Sequence, residues 1–379
     1  MVPYEELISL MTEHGRTMLI PEVMSHGKRA PLNALTSIRF FAAMYVVLYH
    51  CEIPSLVSIP APAAHFFDSG YTGVTLFFSL SGFILAYNYP RVASRRDFWI
   101  SRFARIYPVY IISILAYLLI VEANPQQRGQ PAFIPAALLS ALLIQSWFIP
   151  YATQLNSVAW TLSAETFFYA VFPFANPYCR KPTRVLLVLF LAFTFALAIS
   201  PILIALREPA DGLYLAHLLD GPFPLFRLGT FLVGVLAGGW FLRGRRYRGL
   251  LPSSLLFTSI LLVWAPPYLA RPLKDMLLSY AYTGVIYGLA TVNRGPLANR
   301  WLLLGGEISY SVYLLQFIVT RLERGTVIRL FPSHSPDSLG FVFGVFIPSL
   351  LLVSYLSFRF VEVPARLAIR NRGQRSPAA

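Results

Sequence analysis

Residues 185–206 read VLLVLFLAFTFALAISPILIAL, 22 consecutive positions without one ionisable side chain, closed by Arg184 and Arg207. About 20 apolar residues carry an α-helix across the ~30 Å hydrocarbon core of a bilayer, so this stretch reads as a complete crossing. In lipid every backbone N–H and C=O must be satisfied within the protein, which leaves helices and closed barrels. Unbroken apolar runs, without alternation, select the helix. Ten further runs accompany it, at about 38–57, 71–89, 106–121, 132–148, 158–175, 225–242, 250–270, 276–292, 302–320 and 340–361.

Composition agrees. Of 379 residues 56% are hydrophobic, 15% aromatic and only 13% charged, against about 25% charged in soluble domains. A water-facing globule would lack the solvated side chains to cover itself, and disorder requires low hydrophobicity. The fold class is therefore all-α, a polytopic membrane helix bundle.

The net charge of +14 fits cytoplasmic loops under the positive-inside bias. The basic residues are scattered between apolar runs rather than gathered on one face, which argues against nucleic acid. Two cysteines, Cys51 and Cys179, make neither a disulfide framework nor a four-ligand zinc site, and no metal is expected.

Twenty-three of the 31 basic residues fall in clusters between or at the ends of the spans, from Arg16 to Arg375. All of them lie on one side only if one of the eleven spans fails to cross, and the failure must fall between 106 and 175. Span 132–148 is short, bracketed by Pro131, Pro135 and Pro150, and followed by an uncharged loop. About ten transmembrane helices are thus expected, with one re-entrant or non-crossing segment near 132–150 and both termini cytoplasmic. Residues 1–31 read as a cytoplasmic N-terminal segment, 32–366 as the membrane domain and 367–379 as a basic cytoplasmic tail.

Ionisable groups within spans mark function by default. Arg39 and His50 stand eleven residues apart, which is within ~20° of three full helical turns and a rise of ~16 Å. They share one helix face, a cation at the cytoplasmic mouth and an imidazole deep above it. Glu165, amid Trp160, Phe167, Phe168 and Tyr169, needs a partner. In this topology it lies at a depth His50 also occupies, where a carboxylate would fix the imidazole tautomer and strengthen the base. A structural ion pair with an arginine is the other reading. Arg102 and Arg105 are helix neighbours three apart, and paired guanidinium groups suit phosphate oxygens; two ordinary positive-inside arginines would look the same. Gly73, Gly82, Ser79 and Ser81 give small faces for close helix packing or for a ligand chain. Arg359 and Glu362 read as a structural pair at a helix end.

In order along residues 32–366, these segments resemble the acyltransferase 3 family of integral-membrane acyltransferases. The matching motifs are LTSIRFFAAMYVVLYH, GYTGVTLFFSLSGF, FWISRFARIYPVY, AWTLSAETFFYAVFP, LGGEISYSVYLLQF and FRFVEVPAR. The resemblance implies transfer of an acyl group, usually acetyl, from acyl-coenzyme A as co-substrate to a hydroxyl of a carbohydrate or glycosylated acceptor. No permanently bound cofactor is implied. It implies His50 as the catalytic histidine with Arg39 as its motif partner. Arg102 and Arg105 would hold the coenzyme A phosphates, with Arg39 beside them, and Glu165 would support the histidine or the acceptor. Ser79, Ser81, Trp160 and Ser163 fall on the substrate side. Thr75, Thr166 and Gln316 depart from the family pattern, which often has Asp, a second acidic residue and His at these positions. The rival reading is a transporter or flippase of a glycan or lipid. It too would suit buried His and Glu, but it should carry inverted repeats, and none is visible.

Overall fold

The structure, a computed structural model, describes residues 29–122, 133–181, 183–207, 221–245, 247, 249–265, 271–292, 295–330 and 338–374. The chain divides into two units, Met1–Pro31 and Leu32–Ala379. All but the last three residues of the expected N-terminal segment, and the last five of the tail, lie outside the described residues.

The second unit is built of helices joined by turns, and among the described residues it contains no strand. In chain order they are α1 Asn33–His50, α2 Ala61–Asp68, α3 Gly73–Asn88, α4 Arg95–Glu122, α5 Phe133–Ala141 and α6 Trp160–Arg180. There follow α7 Arg184–Arg207, α8 Pro224–Leu242, α9 Leu250–Val263, α10 Arg271–Leu289 and α11 Arg300–Leu330. The last, α12, spans Leu339–Ile369 and includes π-turns at Val342–Phe346 and Phe358–Glu362. Among the described residues five stretches, Ala61–Asn88, Arg95–Ile120, Pro224–Leu242, Arg300–Thr326 and Leu339–Ile369, are long and apolar enough to cross a membrane. Leu119, Val188, Leu256 and Leu352 are exposed on its helices, where bilayer hydrocarbon rather than water suits them. The molecule is an integral membrane protein.

Side-chain hydrogen bonds to main-chain carbonyls draw the basic loops to one end. Ser37 donates to the Leu297 carbonyl at 2.6 Å, Tyr287 to Arg245 at 2.7 Å, Asn176 to Tyr89 at 2.9 Å, and Arg180 to Pro90 at 2.7 Å. The described residues of these loops, 89–94, 181, 183, 243–245, 247, 249, 290–292 and 295–299, therefore share that end with the start of α1.

The expected non-crossing segment has a definite form. Helix α5 has nine residues, about 14 Å, less than half the hydrocarbon thickness. Its last turn is tied to the middle of α4, Tyr110 donating to Ser140 at 2.7 Å and Tyr107 to Ala141 at 3.1 Å. The chain then turns through Leu143, at φ +58°, a left-handed backbone that costs a non-glycine residue energy. Buried Gln145 and Ser146 donate to Ala159 and Trp160 carbonyls at 3.1 and 2.8 Å. Irregular backbone inside a membrane protein is tolerated when protein groups satisfy it in this way.

Two close seams position everything that follows. Gly234 and Gly238 of α8 lie against α3, where an added Cβ at Gly238 would meet the Phe83 carbonyl at 2.7 Å. In the seam between α1 and α11, a Cβ at Gly305 would meet the Phe40 ring at 2.7 Å, and one at Gly306 would run into the Thr36 carbonyl. Small residues that let backbones approach are the means of helix association where lipid offers no hydrophobic drive.

Candidate active site

The α1–α11 seam sets Arg39 of α1 beside Glu307 of α11, within electrostatic reach also of Glu165 on α6 and Arg105 on α4. Arg105 in turn reaches Glu165, Glu307 and Glu362. Five helices thus converge on one charged centre. Neither Arg39 nor Arg105 donates a hydrogen bond or closes an ion pair among the described residues. Their donors are held near carboxylates without being consumed by them. Arg102, only 9% exposed, is anchored differently. Its Nη2 donates to Tyr89 Oη at 3.1 Å, and its guanidinium lies 5.3 Å from the Tyr89 ring centroid and 5.9 Å from that of Phe98.

Glu165 accepts from Ser81 Oγ at 3.1 Å and from the Tyr169 hydroxyl. It is not bonded to His50, and the expectation that the two share a depth is corrected. Helix α6 begins inside the bundle, just after buried Val158 and Ala159. Its first residue, Trp160, already packs on Phe78, five residues into α3, with ring centroids 6.2 Å apart. Glu165 follows more than a turn further in, on the arginine side.

His50 ends α1 and is exposed, rather than lying deep as expected. Its Nδ1 lies 3.0 Å from Oε1 of Gln316, and its ring meets Phe317 edge-on at 4.8 Å and 62°. Gln316 is 2% exposed, and its Nε2 donates to the Tyr313 carbonyl at 2.7 Å. The position where the family usually has histidine is therefore the imidazole's partner.

Of the other expected residues, Ser81 joins the charged centre through Glu165. Ser79 does not: its backbone abuts Gly234 in the α3–α8 seam, and its buried hydroxyl has no hydrogen-bond partner among the described residues. Ser163 accepts from the Ser146 N–H at 3.4 Å and supports the turn after α5. Trp160 lies under the Arg227 guanidinium at 5.9 Å. The Arg359–Glu362 pair is also corrected. Arg359 is exposed, while Glu362 is 4% exposed and feels Arg366, Arg105, Glu307 and Arg39. The π-turn over Phe358–Glu362 closes i→i+5 hydrogen bonds, which widens the turn, so residues three apart no longer stack.

The sequence reading missed Glu307 and Glu362 as site residues. The signal was present, since each is a carboxylate inside an apolar stretch, but each was absorbed into a motif or a local pair.

The fold and this centre define an integral-membrane helical protein with a cluster of arginines and glutamates built inside its bundle. A family model described as an acyltransferase domain matches residues 32–358, and the chain belongs to that acyltransferase family, enzymes that transfer acyl groups. It is 29% identical to acyltransferase MdmB of Streptomyces mycarofaciens over 317 residues, 76% of this chain and 79% of that one. It is 22% identical to a putative acetyltransferase, ORF330, of Acidianus two-tailed virus, over 76% of this chain and 83% of that one. Nodulation protein 10 of Rhizobium leguminosarum bv. viciae is 26% identical over 169 residues, 40% of this chain and 46% of that one. No solved structure matches.

Proposed function

We propose that this protein transfers an acyl group, typically acetyl, from acyl-coenzyme A to a hydroxyl of a carbohydrate or glycosylated acceptor, with His50 as general base. The observation that carries the reading is the single helix α1, which bears Arg39 in the charged centre and His50 beside Gln316. The two are eleven residues apart, a rise of ~16 Å.

Coenzyme A is a nucleotide anion and stays at the basic end of the bundle. There the uncommitted donors of Arg39 and Arg105, with Arg102 alongside, suit its phosphates. The thin pantetheine arm carries the thioester up the Arg39 face toward His50. His50 Nε2 takes the proton of the acceptor hydroxyl, the oxygen attacks the thioester carbonyl, and the C–S bond breaks. The thiolate leaves and recovers the proton from the imidazolium. General-base help of this kind is worth ~10²–10⁴-fold. Glu165 balances the arginines in this scheme.

With the basic loops at the cytoplasmic face, the chain makes ten crossings, α1, α3, α4 and α6 to α12, while α5 enters and returns. Residues 1–31 and the tail after 366 then face the cytoplasm of a bacterial-type inner membrane.

The test is release of free thiol from acetyl-coenzyme A by the purified full-length protein in detergent, with a panel of glycosylated acceptors. Thiol release that requires acceptor, and is lost in His50→Ala while the protein still inserts, is the expected result. Near-normal turnover by His50→Ala, or indifference to acyl-coenzyme A, overturns the reading. Mass spectrometry of envelope glycans and lipids from a deletion strain identifies the acceptor.

A further inference from the structure

We propose that Gln316 is a positioning residue that holds His50 as its Nδ1–H tautomer and leaves Nε2 free as the proton acceptor. The proposal rests on the reading of His50 as the general base and adds to it the group that sets the base's direction.

The chain of hydrogen bonds settles the direction of each donor. The Tyr313 carbonyl oxygen can only accept, so the side-chain atom of Gln316 lying 2.7 Å from it is the amide nitrogen. Turning the amide over would set two oxygens against each other at that distance. The other end of the amide, Oε1, is therefore the atom that faces His50 Nδ1 at 3.0 Å. A carboxamide oxygen carries no proton, so the proton between them resides on Nδ1. The lone pair is then on Nε2, the nitrogen turned away from Gln316. An imidazole's two nitrogens are distinct, and the hydrogen bond made by one decides what the other can do.

The surroundings hold this arrangement in place. Gln316 is buried, with its main-chain carbonyl accepting from Thr320 Oγ1 at 2.7 Å, so its side chain has a fixed base. Phe317, the next residue on α11, packs edge-on against the imidazole and limits rotation about its ring plane. Tyr313 is itself tied across the bundle, its hydroxyl donating to the Val158 carbonyl at 3.1 Å. The carboxamide is neutral, so it selects the tautomer without adding the charge that a carboxylate would. Among the described residues the imidazole also meets the Val46 main chain one turn back on α1 through a hydrogen bond and the Tyr49 ring edge-on at 5.1 Å; Glu52 reaches the ring, and Arg324 reaches neighbouring Cys51.

Two measurements on the full-length protein test it. In protein labelled with ¹⁵N-histidine, in detergent micelles, the His50 resonances are assigned by difference against His50→Asn. Above its titration His50 should show a protonated Nδ1 and an unprotonated Nε2; the opposite tautomer, or an averaged pair, overturns the proposal. In turnover, Gln316→Leu keeps the volume and removes the acceptor. It should lower kcat by at least about 10-fold, within the ~10²–10⁴-fold a general base supplies, with donor KM within about twofold. Gln316→Glu should restore kcat and move the acidic limb of the kcat profile to higher pH, because a carboxylate favours the imidazolium. A Gln316→Leu enzyme with wild-type kcat and an unmoved limb, alongside an inactive His50→Ala, overturns the positioning role and leaves the base. An active His50→Ala overturns both.

Discussion

Ser81 and Glu165 meet between α3 and α6, the hydroxyl donating to Oε1 at 3.1 Å. Tyr169, one turn further along α6, donates to the same oxygen. A carboxylate held by two hydroxyls and facing Arg39 and Arg105 serves the arginine side of the molecule. Glu165→Gln keeps the shape and gives up the charge. The arginines are then less compensated, so donor KM should fall or hold steady and kcat should change by less than about tenfold. Steady-state kinetics check this. A collapse of kcat at unchanged KM would return Glu165 to the role of imidazole partner.

Arg102 and Arg105 differ in what holds them, and their alanine variants should differ accordingly. Each should raise the KM for acyl-coenzyme A, since a hydrogen bond to a charged group is worth ~1.5–3 kcal/mol, or roughly 10- to 150-fold at about 1.4 kcal/mol per tenfold. Arg102→Ala should also lower the melting temperature, because it removes the bond to Tyr89 and the cation–ring contacts with Tyr89 and Phe98. Arg105→Ala breaks no hydrogen bond among the described residues but takes a cation from beside Glu165, Glu307 and Glu362, so its melting temperature should fall through uncompensated charge, a loss that Arg105→Lys, which keeps the charge, should recover. Kinetics and thermal unfolding of the two variants, side by side, separate binding from structure.

Much of this architecture was legible in the sequence. Apolar length gave the membrane bundle, and the distribution of arginines singled out 132–150, where the described residues form a nine-residue helix and a buried irregular turn. Both readings rest on solvation, which depends on local composition. Depth was the weak point. The register of Glu165 depends on where α6 begins, and that is set by Gln145 and Ser146 capping a buried turn, a tertiary arrangement with no periodic signal. The Arg359–Glu362 reading assumed an ideal α-helix, and a π-turn displaced it. Gln316 was visible as a departure from the family pattern, but its partner is 266 positions away, beyond the reach of any helical spacing.

Arg227 and Asp275 form a buried pair between α8 and α10, Nη1 to Oδ2 at 2.5 Å, with side chains 11% and 6% exposed. Removing the cation leaves a buried carboxylate without its counter-charge. Arg227→Met should therefore cost ~3–5 kcal/mol, whereas Arg227→Met with Asp275→Leu should recover most of it. Denaturation in micelles across the double-mutant cycle measures the difference. A double variant no more stable than the single would show that the pair is not the source of the loss.

The α3–α8 seam makes a severe steric demand, and it bears on the site as well as on stability. A Cβ at Gly234 would run into the Ser79 carbonyl oxygen, with the carbonyl carbon at 2.9 Å and the Phe83 nitrogen at 3.0 Å. All of these are backbone atoms inside a helix, so no side chain can swing away to make room, and α3 must move as a body. Overpacking typically costs ~1–3 kcal/mol, and Gly234→Val should lie at the upper end. Ser81 rides on α3 two residues after Ser79, so the same displacement draws its hydroxyl from Glu165 and disturbs the charged centre. Gly234→Val should thus lower both the melting temperature and the turnover of whatever protein remains folded. Gly344→Ala, where nothing lies within 4 Å of the added carbon, should leave both unchanged. Thermal unfolding and specific activity of the two variants decide it, and full activity in a folded Gly234→Val protein would break the link between this seam and the site.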